Sequence, residues 1–354
     1  MEKLQKILDK EKFDKISSYR QNLLKTRTDL VDLMPLSQPF TLTIGVNNRC
    51  NFGCTFCPTG DVELTRKSVP TGHMDENVLE KIIDGAKSFE NKFKKVSLTG
   101  FGEPFLHKDF SNIVKKIKKS DIAEKIATTT NGSLLDRFDL DEIARSLDII
   151  TFSIEHVHDE GYKKITRNYK NYSKILENVK HFYSVKKKVN PELRVHVKIL
   201  DLDLTTEERL KFLRDFEKIS DTLNIDYAQS FTHSDKYDFS QNTNKEQRTK
   251  DGFLRSTEKN LICSQLFMYL KVVFNGNVVA CCADWKHELI IGNVLSQSLK
   301  EIWNGEKLRE LRLTHIHKNK DLIGPCKNCD WIKNTIPSDD MTKDREKLKQ
   351  IYKY

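Results

Sequence analysis

Cys50-Asn51-Phe52-Gly53-Cys54-Thr55-Phe56-Cys57 sets three thiols on one short stretch, spaced by three residues and then by two. It follows residues 41–46, which alternate with Leu42, Ile44 and Val46 on one side. That alternation reads as a strand, so the cysteines lie on the loop leaving its C-terminal end. Three thiolates so placed can hold three irons of a cubane cluster and leave the fourth iron open to a substrate or cofactor. A zinc site, which normally closes with four ligands, and buried free thiols are the alternatives.

Outward from this loop, the chain alternates strands and helices. Strands are expected at 96–98, 126–130, 149–155, 195–200 and 225–230, and helices at 76–89, 110–118, 140–147, 173–187 and 206–219. Asp109 is the expected N-cap of the second helix. Such alternation implies a parallel sheet with right-handed crossovers. In 149–155, Ile150, Phe152 and Ile154 point one way and Thr151, Ser153 and Glu155 the other; in 195–200, His196 and Lys198 oppose Val195, Val197 and Ile199. Thr41, Thr43, Gly45 and Asn47, and Ser97 and Thr99, behave likewise. A doubly wound parallel sheet is apolar on both faces. One polar face on several strands fits a wide or incomplete barrel whose lumen holds a polar ligand.

The flanks complete the layout. Residues 1–37 carry an imperfect apolar stripe (Leu4, Ile7, Leu8, Phe13) and are expected to be a helical extension ended by Pro35 and Pro39. The barrel is assigned to 38–235, a polar linker to 236–260, a small hairpin and helix unit to 261–335 and a terminal helix to 336–354. Within that unit Asn275-Gly276, between apolar runs 270–274 and 278–281, is a hairpin signal.

Composition excludes several classes. The chain of 354 residues holds 60 Lys and Arg against 51 Asp and Glu, a net charge of +9. Lys115-Lys116, Lys118-Lys119 and Lys186-Lys187-Lys188 sit towards helix ends, where cations suit the macrodipole and keep an outer face wet. No nucleic-acid footprint is expected. No segment approaches the roughly 20 apolar residues of a membrane span, and residues 1–9 lack a secretory apolar core. A cytoplasmic location follows, in which the eight cysteines are expected to bind metal and not to form disulfides.

The three-cysteine loop, with aromatic Phe56 before its last cysteine, resembles that of the radical S-adenosylmethionine (SAM) superfamily. Thr99-Gly100-Phe101-Gly102-Glu103-Pro104 resembles the family's Gly-Gly-Glu-Pro motif, with Phe101 in place of the first glycine. Thr130-Asn131-Gly132 ends the third strand in familiar fashion, and Ser153-Ile154-Glu155 stands where the family often has Ser-x-Asp. The resemblance implies a partial (β/α)6 barrel, α/β in class, with a C-terminal β-hairpin/helix twitch domain. It implies a 4Fe–4S cluster on Cys50, Cys54 and Cys57 whose open iron binds SAM, and reductive cleavage of SAM to methionine and a 5′-deoxyadenosyl radical. Phe56, Gly102, Glu103, Pro104, Asn131 and Ser153 become SAM-site residues; Glu103 would accept from the SAM ammonium, and glycine would let the backbone approach its methionine part.

The remaining cysteines are Cys263, Cys281, Cys282, Cys326 and Cys329. By spacing alone, four of them suit zinc or a 4Fe–4S cluster about equally. Gly292-Asn293-Val294 with Leu299, Ile302 and Trp303 resembles the C-terminal SPASM/twitch region of radical SAM enzymes. That implies one auxiliary 4Fe–4S cluster on Cys263, Cys281, Cys326 and Cys329. Cys282 is left as an inert buried thiol, an exchanged ligand or a hydrogen-atom donor.

Among lumen groups, Glu155 is a candidate base, hydroxyl binder or partner of Lys198; His196 and Lys198 are substrate or SAM contacts or an internal pair; Tyr227 and Gln229 are possible lining. Asp284 and Trp285 are read as packing beside the second site, and His156, His158 and His233 as loop residues with no identified partner. The expected activity is oxidation of a hydroxyl-bearing carbon of a sugar- or cyclitol-like small molecule, with the auxiliary cluster as electron acceptor and a flavodoxin- or ferredoxin-type reductant. The alternatives are an epimerase or peptide-modifying enzyme using Cys282, and a non-catalytic iron–sulfur or zinc scaffold.

Overall fold

The computed structural model describes residues 27–61, 68–169, 171–227, 256–258, 261–327, 329 and 331–353. Most of the expected N-terminal extension and linker, with Gln229 and His233, therefore lies outside the described residues. Of the extension, Leu30–Leu33 forms a 3-10 turn.

The barrel half runs β1 (Thr41–Gly45), α1 (Glu76–Lys87), β2 (Lys95–Leu98), α2 (Phe110–Ser120), β3 (Ile126–Thr130), α3 (Leu140–Ser146), β4 (Ile149–Ile154), α4 (Asp159–Thr166), α5 (Tyr172–Val189), β5 (Arg194–Asp201), α6 (Thr206–Phe216) and β6 (Thr222–Tyr227). Local chemistry sets the helix starts. Asp75 accepts from the Val78 amide at the head of α1, and Thr205 with Glu208 closes a capping box on α6. Asp109 does not cap α2 with its side chain, contrary to expectation. The apolar stripe of α1 (Val78, Leu79, Ile82, Ile83, Ala86) is buried as its spacing predicts.

The C-terminal half adds α7 (Gln265–Met268), β7 (Tyr269–Val273), β8 (Asn277–Val279), β9 (Ile290–Asn293), α8 (Leu299–Trp303), α9 (Glu306–Ile316), α10 (Gly324–Lys327) and α11 (Arg345–Ile351). The expected hairpin is β7–β8, with Gly276 at φ 84° in its turn. It does not stand apart from the barrel. β7 pairs in parallel with β1, so one sheet runs β6-β5-β4-β3-β2-β1-β7-β8-β9. Six parallel strands thus form an open, partial barrel, and the second unit continues it from the β1 side. Across the outside, α8 packs on α1, and Trp303 donates from its indole to the Leu36 carbonyl.

Three differences from the sequence reading have physical causes. β6 begins three residues earlier than expected, because its first half, Thr222-Leu223-Asn224, lacks an apolar run. α4 was not expected. It is short and charged, but buries Tyr162 and Ile165 behind a cap from His158. Lys186 does not wet an outer face: it is buried, 3.1 Å from Asp221, and donates to the carbonyls of Pro191 and Leu193.

The strand registers bring the polar faces together. Thr129, Thr151, His196 and Thr222 stand abreast on β3–β6, with Ser153, Lys198 and Asn224 as the next row. On the other side, Ser97, Thr43 and Lys271 stand abreast on β2, β1 and β7.

Candidate active site and cluster-binding loops

The cysteine loop is fastened from several strands. Gly53 and Thr55 amides donate to the Thr166 and Ile165 carbonyls, each at 2.9 Å, tying the loop to the end of α4. Asn47, just past β1, donates from Nδ2 to the Glu103 carbonyl, and the Glu103 amide donates to the Arg49 carbonyl at 2.7 Å. The Glu103 carboxylate takes hydrogen bonds from the Phe105 and Asn131 amides and the Thr130 hydroxyl. Asn131 Nδ2 in turn donates to Asn51 Oδ1 at 3.0 Å and lies 3.9 Å from Cys50 Sγ. One network therefore joins the ends of β1, β2 and β3 to the thiols. Asn47, Asn51 and Thr130 were missed as site residues, because their role depends on strands far apart in sequence.

Gly102 has a further function here. A Cβ at this position would lie 2.4 Å from Asn47 Oδ1 and 2.9 Å from the Arg49 carbonyl. Its lack of a side chain lets the β2 loop press against the cysteine loop. Phe56 packs partly buried against the core, and Pro104 is buried.

Burial pushes the Cys50, Cys54 and Cys57 thiols up, and the Glu155 charge faces all three. Glu155 is buried and held up at about 7 by desolvation, against the pull of Lys198. Glu103, also buried, is raised to about 7 by the same cause, although its three donors oppose the shift. Lys198 lies 3.4 Å from Asp226, which is its ion-pair partner in place of Glu155. His196 Nδ1 is 2.8 Å from the Thr222 hydroxyl. Ser153 lies beside Lys198 on the inner face. Tyr227 ends β6. His158 caps α4, and both His156 and His158 meet Glu208, which supplies the partners not identified from sequence.

At the second site Cys263, Cys281, Cys326 and Cys329 act electrostatically on one another and are raised mainly by burial or by their neighbours. Asp284 and Trp285 are buried beside them, and the Asp284 carboxylate accepts from the Leu289 amide. Cys282 hydrogen-bonds with Cys281 and lines a pocket of about 220 Å³ with Thr43, Thr99, Gly100, Phe101 and Tyr269.

The sulfur spacing tests which metal suits the cysteines. Among the described residues no three cysteine sulfurs fall within 4.8 Å of one another. A tetrahedral zinc with Zn–S near 2.3 Å holds its sulfurs about 3.8 Å apart. A cubane, whose irons each carry one sulfur outward, spreads them further. Three mutually interacting thiols on one loop and four at the second site are donor sets of the kind and number that 4Fe–4S clusters use.

Two family models match: Radical SAM superfamily over residues 44–216, and SPASM, an iron–sulfur cluster-binding domain, over residues 263–330. Together they span about two thirds of the chain, which belongs to the radical SAM superfamily and carries a SPASM domain behind its barrel. SAM and two 4Fe–4S clusters are the cofactors of this pair of domains. The fold is also that of BtrN in complex with AdoMet and 2-DOIA, at 18% identity and TM-score 0.51 over 82% of this chain and 92% of that one. Streptococcus suis SuiB bound to precursor peptide SuiA matches at 17% identity and TM-score 0.59, over 83% and 70%. anSMEcpe with bound AdoMet matches at 17% and 0.56, over 89% and 93%. GTP 3′,8-cyclase of Peptoclostridium acidaminophilum is 30% identical over 146 residues, 41% of this chain and 42% of that protein. The chain thus spans less than half the length of that relative. No helix among the described residues is long and apolar enough to cross a membrane.

Proposed function

We propose that the protein is a radical SAM dehydrogenase that oxidises a hydroxyl-bearing carbon of a sugar- or cyclitol-like small molecule. When bound, SAM on the first cluster supplies a hydrogen-abstracting 5′-deoxyadenosyl radical, and the second cluster supplies an electron acceptor. Cys50, Cys54 and Cys57 would hold the first cluster; Cys263, Cys281, Cys326 and Cys329 would hold the second. Gly102, Glu103, Pro104, Asn131, Ser153 and Phe56 surround the SAM position. A flavodoxin- or ferredoxin-type protein is the proposed source of the reducing electron.

One observation carries this reading. The pocket behind the Thr99–Phe101 turn is bounded on its other side by Cys282, the neighbour of a ligand of the second cluster. A substrate there would lie beside the second cysteine set, whose cluster would supply the electron acceptor. The chain's own residues do the rest. Thr43 and Thr99 in the pocket wall offer hydrogen bonds to hydroxyls, and Thr151, Ser153 and Lys198 face the same side of the sheet from β4 and β5. Glu155, raised to about 7, is suited to take up the hydroxyl proton near neutrality.

Cys282 lining that pocket favours a second reading, in which its thiol returns a hydrogen atom and the enzyme epimerises a sugar or a peptide residue. Product mass separates the two. Anaerobic enzyme is reduced with SAM and candidate polyols, sugars and peptides, and compounds that stimulate 5′-deoxyadenosine formation are analysed. A product lighter by two hydrogens supports dehydrogenation. A product of unchanged mass that gains one deuteron in heavy water overturns it in favour of epimerisation.

A further inference from the structure

The inner face of β7 carries a lysine that the reading above leaves idle. Lys271 stands beside Thr43 in the β1–β7 register and is 2% exposed. Its Nζ lies 4.5 Å from the centre of the Phe101 ring. Among the described residues it has no carboxylate within 4.0 Å and no hydrogen-bond acceptor. The contrast with Lys186 is informative: that equally buried ammonium has Asp221 and two carbonyls. Cys281, Cys282 and Asp284 act on its charge without forming an ion pair or hydrogen bond; burying a charge is costly, so an ammonium on a pocket wall with no direct partner points to a ligand that completes it.

The surroundings suit a negative group. The pocket holds about 220 Å³. The hydroxyls of Thr43 and Tyr269 hydrogen-bond to each other on its wall, and Thr99 adds a third. The Phe101 ring, at the position where this chain departs from the Gly-Gly-Glu-Pro pattern, lies under the ammonium and holds it by a cation–π contact. Gly100, open but for the Gly45 Cα at 3.4 Å, leaves room in front of it.

We propose that Lys271, with the Thr43, Thr99 and Tyr269 hydroxyls, binds an anionic group of the substrate, a carboxylate or a phosphate. The proposal rests on the substrate reading of the pocket and narrows it from polyols in general to acidic or phosphorylated ones.

The test uses dithionite-reduced holoenzyme with both clusters, titrated with inorganic phosphate and with acetate. Binding near the paramagnetic second cluster is read as 31P and 13C line broadening. Saturable broadening by at least one anion is expected, and the tighter of the two names the group. Lys271→Gln is expected to weaken it at least tenfold, and Lys271→Arg less than threefold. Iron content and melting temperature report whether each variant folds; Phe101→Leu, expected to weaken binding severalfold, serves where Lys271→Gln does not. No saturable broadening, or equal affinity in the variants, overturns the proposal. So does competition by S-adenosylhomocysteine, which would assign the lysine to the carboxylate of SAM. A shifted reduction potential of the second cluster with unchanged anion binding also overturns it, making Lys271 a counter-ion of that cluster. Substrate-free 5′-deoxyadenosine formation by the unaltered enzyme is measured alongside. Its absence sinks the radical reading, whereas its presence without anion binding sinks only this one.

Discussion

Glu155 shows how one buried carboxyl ties chemistry to stability. Desolvation lifts it from 4.5 to about 7, so between those values the folded chain holds a proton that the unfolded chain has released. Stability must then fall as pH rises from about 5 to 7, because the folded state binds more protons there. Removing the titration by Glu155→Gln should make the dependence of apo-protein melting temperature on pH shallower in that window, where Glu103 still titrates, while lowering substrate turnover in the loaded enzyme by about a hundredfold or more. An unchanged pH slope would refute the shift. Gly102 is the second such residue. With 2.4 Å available, Gly102→Ala must push Asn47 and Arg49 away, and with them the cysteine loop. Reconstituted Gly102→Ala should hold roughly half of the wild-type iron, counted colorimetrically, since the second site is untouched. The three thiols of the first loop could be read from their spacing, whereas those of the second needed a resemblance to choose a cluster over zinc and Cys281 over Cys282. Asn131 could be read only through a resemblance, and Asn47 and Asn51 not at all, since a neutral amide carries no signal until the strands that it joins are assembled.

Alternation explains which elements were legible. On β4 and β5 every second residue is apolar and buried, so face and register follow from sequence. β6 alternates more weakly: Leu223 is buried but Ile225 only half-buried, and the polar Asn224 and Asp226 turn inward between and after them. α4 escapes because its helical signal lies in two buried residues and a histidine cap, too little to show a period. The β7–β8 turn was legible because its chemistry is local. Gly276, at φ 84°, has Asn293 Oδ1 only 3.0 Å from where a Cβ would sit. Gly276→Val combines a disfavoured backbone with a collision, and by analogy with other strained positions should cost about 1–3 kcal/mol. Denaturant titration of the apo-protein checks this; a loss below 0.5 kcal/mol, about the noise of a neutral surface change, would contradict it.

At the scale of the whole molecule, the two cysteine sets share one sheet but serve different ends. Fully loaded enzyme is expected to contain about eight irons, as two 4Fe–4S clusters. Cys50→Ala should remove about four of them together with all formation of 5′-deoxyadenosine. Cys326→Ala should also remove about four, yet keep SAM cleavage and lose product. Residual SAM cleavage in Cys50→Ala would sink the assignment of the first loop. The pocket beside the second set was invisible in sequence for a topological reason. Its walls come from β1, the loop after β2 and β7, and nothing local in residues 269–273 says that they will lie against residues 41–45.

That pairing also governs the order of assembly. β1 is bonded to β2 on one side and to β7 on the other, and β7 lies more than two hundred residues downstream. During synthesis at roughly 5–20 residues per second, the far side of β1 waits on the order of ten seconds or more for its partner. For that interval an apolar parallel strand bearing Leu42 and Ile44 is an unpaired edge, of the kind that recruits strands from other chains. The seam that encloses the pocket thus closes late, and the yield of folded enzyme should depend on what guards that edge until the hairpin arrives.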